Sequence, residues 1–215
     1  MPALYLDRVE AGRELGEELR KLSLVDPLIL AIPRGGVVVA LEVARIVSGG
    51  LDIVVPRKLG APGEPELAIG AVMHDGSLFL NEGVIGANWV SKKYLEEEKR
   101  RQIEESNRRL EVYRGGRPYP DLQGRQVVIV DDGIATGATM IVAVRWARVR
   151  GAKRVIAAAP VGPADMIHKL RSEADDVACV KTPSQFYAIG QFYEQFESVE
   201  DEEVIAILRA AWGEH

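Results

Sequence analysis

The run Val127-Val128-Ile129-Val130-Asp131-Asp132 constrains this chain more than any other stretch. Four β-branched residues in succession favour an extended strand, and a strand apolar on both sides must be covered on both faces. Such strands belong to parallel sheets with helices packed above and below. Two carboxylates then stand at the strand's C-terminal end, where open α/β sheets bind their ligands. Gly133 and Gly137 bracket a short turn, and Thr139 leads into the apolar run Met140-Ile141-Val142-Ala143-Val144. A loop that opens a helix presents backbone N–H groups and the positive end of the helix dipole, which together hold a phosphate. Thr136 and Thr139 add hydroxyls. The implied ligand carries a phosphate on one side and a polyol, or a metal, on the other. A plainer reading is an ordinary βα turn whose acids cap the next helix. Paired acids at the tip of a buried strand, followed by Thr-Gly-x-Thr, are the more specific combination.

The rest of the chain alternates in the same sense. Leu28–Ile32, Leu51–Val55, Arg154–Ala159 (closed by Pro160) and Asp176–Lys181 read as strands. Helical spacing of apolar residues marks 7–21, Val37–Val47 (stopped by Gly49-Gly50), Ala164–Ala174 and Val199–Trp212. Strands separated by helices imply a mostly parallel sheet with right-handed crossovers. Ala68–Met73 and Leu78–Leu80 form a hairpin that turns at Asp75-Gly76. A heavily charged segment over about 87–113 reads as one exposed helix laced with i,i+4 pairs, structural or oligomeric in role. At 215 residues the expectation is a single domain with a core over about 26–182.

The signature resembles the diphosphoribosyl-binding motif of the type I phosphoribosyltransferases. The resemblance implies an α/β fold, a mostly parallel sheet flanked by helices, with a small hood. It implies that Asp131 and Asp132 hold the ribose hydroxyls of phosphoribosyl diphosphate (PRPP). Ala135, Thr136, Gly137, Ala138 and Thr139 then cradle the 5′-phosphate. The corner Pro33-Arg34-Gly35-Gly36 stands where that family grips the diphosphate, often through a cis peptide; Gly35 and Gly36 let backbone approach a ligand, and a guanidinium binds diphosphate bidentately. Arg57 and Lys58 follow the next strand and match cations that reach the PRPP phosphates. Asp131, Asp132, Arg34 and Lys58 are the expected catalytic set. Mg²⁺ enters with PRPP, held mainly by its oxygens and water, with no permanent protein metal site.

In the same family a hood built partly from the chain ends encloses the acceptor. Here the N-terminal segment and about 183–215 are its candidates. The tail gathers aromatics, and Phe186, Tyr187, Phe192 and Tyr193 either stack on a planar ring or pack the hood onto the core. The breaker-rich stretch Gly60–Glu66 is either a mobile lid or a plain connector. Purine-specific members usually carry an acid in the phosphate turn where this chain has Ala135, so a purine acceptor is in doubt. The expected reaction is Mg-dependent transfer of ribose 5-phosphate from PRPP to a nitrogen acceptor, a nucleobase or related ring. A regulatory protein that binds PRPP without turnover is the alternative.

A net charge of −5 speaks against a nucleic-acid partner. No apolar run has the length of a membrane span, and the single Cys179 reads as a small buried hydrophobe in a reduced, cytoplasmic setting. His74 reads as a surface residue beside its turn. No Gly-x-Gly-x-x-Gly or Walker loop supports a nucleotide-binding enzyme of another class. Dimers are common in the resembled family, which makes a homodimer the expected assembly.

Overall fold

The computed structural model describes residues 3–214. Its main sheet comprises β1 (Leu28–Ala31), β2 (Gly50–Ile53), β6 (Gln126–Val130), β7 (Arg154–Val161) and β8 (Asp176–Lys181). These five strands are all parallel, in the order β2-β1-β6-β7-β8. Side chains alternate across them, as strand geometry requires. Leu28, Leu30, Val127 and Ile129 face one cluster, joined by α5 (Ala138–Val149) and α6 (Ala164–Leu170). Ile29, Ala31, Val128 and Val130 face the other, covered by α1 (Arg8–Arg20), α2 (Gly35–Val47) and α7 (Asp201–Ala211). The result is three layers, with β1 and β6 covered on both faces as their composition demands.

A second sheet holds β3 (Arg57–Ala61), β4 (Glu64–Val72) and β5 (Leu78–Leu80), all antiparallel. The stretch expected to be a lid or connector is therefore the tip of the β3–β4 hairpin, with Pro62–Glu66 exposed. The charged segment is a single helix, α4 (Lys92–Arg114), preceded by a turn at Asn88–Val90, where Trp89 takes φ +50°, and by the short helix α3 (Glu82–Ala87). Ser91 caps α4 by accepting from the Tyr94 amide. Tyr94 donates its hydroxyl to the Gly60 carbonyl at 2.9 Å, Ser106 to that of Val55 and Tyr113 to Asp201, so α4 straps the small sheet to α7.

Other local differences have simple causes. Helix α2 begins at Gly35, and it ends on Ser48 in the left-handed region rather than on the glycine pair; Gly50 already starts β2. Strand β7 runs through Pro160, whose carbonyl accepts from Tyr5. His74 is half-buried, stacked 5.3 Å from Tyr119 and edge-on to Trp146, and burial lowers its pKa. Cys179 fits its expected role: burial pushes the thiol up to about 12. No helix among the described residues is long and apolar enough to cross a membrane.

Asp52 of β2 and Arg114 of α4 form an ion pair that is almost wholly buried. Arg114 also donates to the carbonyls of Arg117 and Pro118, so each of its three nitrogens has a partner. Burial pushes the Asp52 carboxyl upward and Arg114 opposes it. Removing one partner of such a pair leaves an uncompensated buried charge, at a cost of about 3–5 kcal/mol. Arg114→Met is expected to lose stability of that order in denaturant unfolding, and Asp52→Leu added to it to recover most of the loss. An unchanged unfolding midpoint in the single variant would contradict this role.

Candidate functional site

The cleft opens where the chain's course reverses across the sheet. From β1 the chain crosses through α2 to β2 on one side, and from β6 through α5 to β7 on the other. Ligands bind at such switch points because the diverging loops leave a crevice outside the strand ends. Here β1 delivers Pro33, Arg34 and Gly35, and β6 delivers Asp131 and Asp132. The main-chain ladder continues to the acids, with Ile32 N–H donating to Val130 O at 2.8 Å and Asp131 N–H to Ala158 O at 3.2 Å. The carboxylates therefore stand on rigid backbone.

A cleft of about 370 Å³ is lined by both acids, Arg8, Arg34, Gly35, Arg57, Lys58, Thr139, Ser198 and Val199. A smaller cavity of about 150 Å³ is lined by Gly133 to Met140 together with Lys58, Asp131 and Ile189. Lys58, Asp131 and Thr139 border both, so the two spaces form one site with two lobes.

The small lobe is the turn that opens α5. Gly137 takes φ +68°, and a Cβ there would stand 2.3 Å from the Met166 sulfur. Both facts reserve the position for glycine. No side chain caps this helix start, so its leading N–H groups point into the lobe unpaired. Ala135 and Thr136 are exposed at the turn's crest. The arrangement suits an anion with several oxygens.

The large lobe carries both signs of charge. Asp131 accepts from the Asp132 amide at 2.9 Å. Burial raises its pKa well above the ordinary carboxylate range, and the adjacent Asp132 adds to the effect. Burial raises Asp132 as well, opposed by Arg8, whose Nε donates to Asp132 Oδ2 at 2.8 Å. Opposite them stand the cations. Arg34 lies at the α2 N-terminus after a cis Pro33–Arg34 peptide, with Nη1 3.5 Å from Asp201 and 3.7 Å from Glu200 at the head of α7. Arg57 and Lys58 begin β3 instead of ending β2. Arg57 donates to Gln102 of α4 at 3.0 Å, and Lys58 reaches Glu66 near the hairpin tip at 2.8 Å.

All five turn residues, both acids, Gly35 and the three expected cations thus border one site. Gly36 sits just behind, packed on the Asp131 backbone. The tail aromatics divide. Phe192 and Tyr193 are buried and pack the tail onto the core, Phe186 leans on Phe192 at 5.0 Å, and only Tyr187 is freely exposed. The N-terminal strand pairs with the tail, with Leu4 and Tyr5 N–H donating to Phe192 O and Glu194 N–H to Tyr5 O. Helix α7 instead packs on the main sheet, so of the tail only the part before it stands above the strand ends. Arg8, Ser198 and Ile189 are site residues that no motif marks. Among the described residues no three His, Cys, Asp or Glu side chains gather into a metal cage.

Similarity to known proteins agrees with this geometry. The family model "Phosphoribosyl transferase domain" matches residues 9–197. Proteins of two Mycobacterium tuberculosis strains, CDC 1551 / Oshkosh and H37Rv, whose names assign them provisionally to the phosphoribosyl transferases, are 45% identical over 208 residues. That match takes in 97% of this chain and 47% of theirs, so the chain spans about half the length of these curated relatives. The crystal structure of the protein TT1426 from Thermus thermophilus superposes with a TM-score of 0.80 at 44% identity, covering 97% of this chain and 98% of that one. With the motif in place at the switch point and the family match running through it, the chain belongs to the phosphoribosyl transferase family.

Proposed function

We propose that the cleft binds PRPP and transfers its ribose 5-phosphate group to a nitrogen acceptor, a nucleobase or related ring, with release of diphosphate. The observation that carries this reading is the joining of the two lobes through Lys58, Asp131 and Thr139. An anion lobe and a paired-acid lobe that share a wall match one ligand with a phosphate at one end and a diol in the middle. In this reading the Ala135–Thr139 turn holds the 5′-phosphate, and Asp131 and Asp132 accept from the ribose hydroxyls. Arg34, Lys58 and Arg57 face the diphosphate. The acceptor nitrogen forms a bond to C1 as the C1–O bond breaks, diphosphate takes the electron pair, and the acceptor gives up its proton.

Such a reaction needs no side-chain nucleophile. Its demands are a fixed sugar, a neutralised leaving group and an excluded solvent. The cleft leaves Mg²⁺ to enter with the diphosphate, its shell supplied by ligand oxygens and water, while in this reading the two acids face the ribose. Bound there, Mg²⁺ would neutralise part of the diphosphate charge. The exposed ring of Tyr187 and the half-buried Phe186 are the tail groups available to a planar acceptor. The one thiol and the metabolite substrate suit a reduced cytoplasm, and the family resemblance suits a homodimer.

The direct test is diphosphate release from PRPP in the presence of a panel of nucleobases and ring amines. No release with any acceptor, together with tight PRPP binding, would turn the reading toward a PRPP sensor. Asp131→Asn is expected to weaken PRPP binding by about 10- to 100-fold, the worth of one or two hydrogen bonds to a charged group. Calorimetry that finds the affinity unchanged in the folded variant would refute the diol assignment. Arg34→Ala is expected to slow turnover at least about 10-fold. Its effect on ribose 5-phosphate binding should be small, since that molecule lacks the diphosphate. Equal losses for both ligands would remove Arg34 from the leaving-group site.

A further inference from the structure

The contact between Arg8 and Asp132 joins residues 124 apart in sequence, and both side chains are nearly inaccessible, at 11% and 12% exposure. Both nevertheless border the large lobe. Every side of this contact is fixed. Arg8 Nη1 donates to Glu197 O at 2.9 Å, and its Cζ lies over Phe196, 3.9 Å from the ring centre. Tyr193, stacked on Phe196 at 5.0 Å, donates its hydroxyl to the Asp132 carbonyl at 2.6 Å. Gly35 closes the remaining side. A Cβ there would stand 1.9 Å from Asp132 Oδ2 and 2.6 Å from Arg8 Nε.

We propose that Arg8 is a positioning residue for the sugar-binding acid: its guanidinium holds the Asp132 carboxylate ionised and aimed at the cleft, and so ties the N-terminal helix and the tail aromatics to ribose binding. This rests on the reading of the cleft as a PRPP site. An acid buried beside another acid is drawn toward its neutral form, and a neutral carboxyl accepts a sugar hydroxyl's hydrogen bond less strongly. The groups that face Asp132 are Arg8 from α1, Asp131 before it, the Tyr193 hydroxyl from the tail and, across the cleft, Arg34, Arg57 and Lys58. Of the cations only Arg8 touches the carboxylate. Two of the five Arg8 N–H donors are engaged, Nε by Asp132 and one on Nη1 by Glu197 O, so the pH dependence of binding is what separates positioning from a direct contact with the ligand.

The sign follows directly. Without Arg8 the carboxyl takes up a proton at higher pH, so ligand binding that needs the anion fails earlier as pH falls. The test compares wild type, Arg8→Gln and Arg8→Lys in two measurements. The first is a ligand-free ¹³C NMR titration of the aspartate carboxyl carbons, with the Asp132 signal identified by its loss in Asp132→Asn. The second is calorimetry of PRPP with Mg²⁺ across about pH 5 to 9. Arg8→Gln is expected to raise the Asp132 midpoint by about one unit or more, equivalent to a tenfold change in proton affinity. PRPP binding should weaken as pH falls through the raised midpoint, by about tenfold below both midpoints, and match wild type toward the alkaline end. Arg8→Lys, which returns the charge without the planar fork, should fall between.

An unmoved Asp132 midpoint in the folded variants would overturn the proposal, as would a binding loss equal at every pH, which is the mark of a direct phosphate contact. Should Arg8→Gln fail to fold, Arg8→Lys decides alone, with an upward shift of about half a unit expected. If wild type binds no PRPP, the functional reading of the cleft fails, while the ligand-free titration still settles whether Arg8 governs Asp132.

Discussion

The site depends on how closely the ends of β1 and β6 approach. These neighbouring parallel strands send their chains to opposite faces of the sheet, so the loop after one must pass directly over the tip of the other. Gly36 meets that tip, where a Cβ would lie 3.0 Å from Asp131 Cα and from Val130 O. Gly35 meets the Asp132 carboxylate even more closely. Close packing leaves no room for side chains at either position. The same approach that excludes a β carbon brings the Arg34 backbone and both acids to one crevice. Ladder hydrogen bonds that run past β1 and up to Asp131 then fix the acids within the precision of the sheet.

Charge is separated across this crevice in a way that folding alone would not favour. Two adjacent carboxylates are buried on one wall, and each resists ionisation for that reason. On the opposite wall Arg57 also resists its charge, because burial and the nearby Arg109 lower its pKa. Its partners are polar or peripheral, and Lys58 and Arg34 find carboxylates only at the rim. Exposed pairs of that kind contribute little, about 0–1 kcal/mol. Acids left short of donors and cations left short of acceptors describe a site complementary to something absent from the chain itself. A sugar that offers hydroxyls to one wall and phosphates to the other supplies both deficits at once.

The parts legible in the sequence are those with local causes. Strand β6, its two acids and the Thr-Gly-x-Thr turn follow from β-branching, strand-end position and glycine spacing within about a dozen residues. The Pro33–Gly36 corner was visible for the same reason. The unreadable parts are set by tertiary contact. Arg8 sits on a helix rich in Glu and Arg, where one cation has no feature to separate it from a solvated face; only the fold reveals that it meets Asp132. The 60–66 stretch is rich in breakers, yet pairing with β4 makes it a hairpin. The charged segment is one helix, as its spacing indicates, but it starts at Lys92 because Trp89 at positive φ breaks the chain just before it, and nothing in the spacing marks that point. The tail aromatics were ambiguous because a ring serves packing and stacking equally well, and burial of Phe192 and Tyr193 is a property of the assembled core.

That last ambiguity bears on how such a site varies its acceptor. The phosphate turn and the acids are fixed by the sheet, while the walls above them come from the two ends of the described chain. Bonds that hold those ends include Tyr5 to Pro160, Arg8 to Asp132 and Glu197, Tyr193 to Asp132, and the short pairing around Phe192. The buried rings act as a fastening, which leaves the exposed Tyr187 free to differ without disturbing the cleft. Ala135 fits the same division. It occupies the exposed crest of the turn. In the proposed reaction no acid stands at that crest to take the acceptor's proton, so the proton would leave through solvent, the diphosphate or another group.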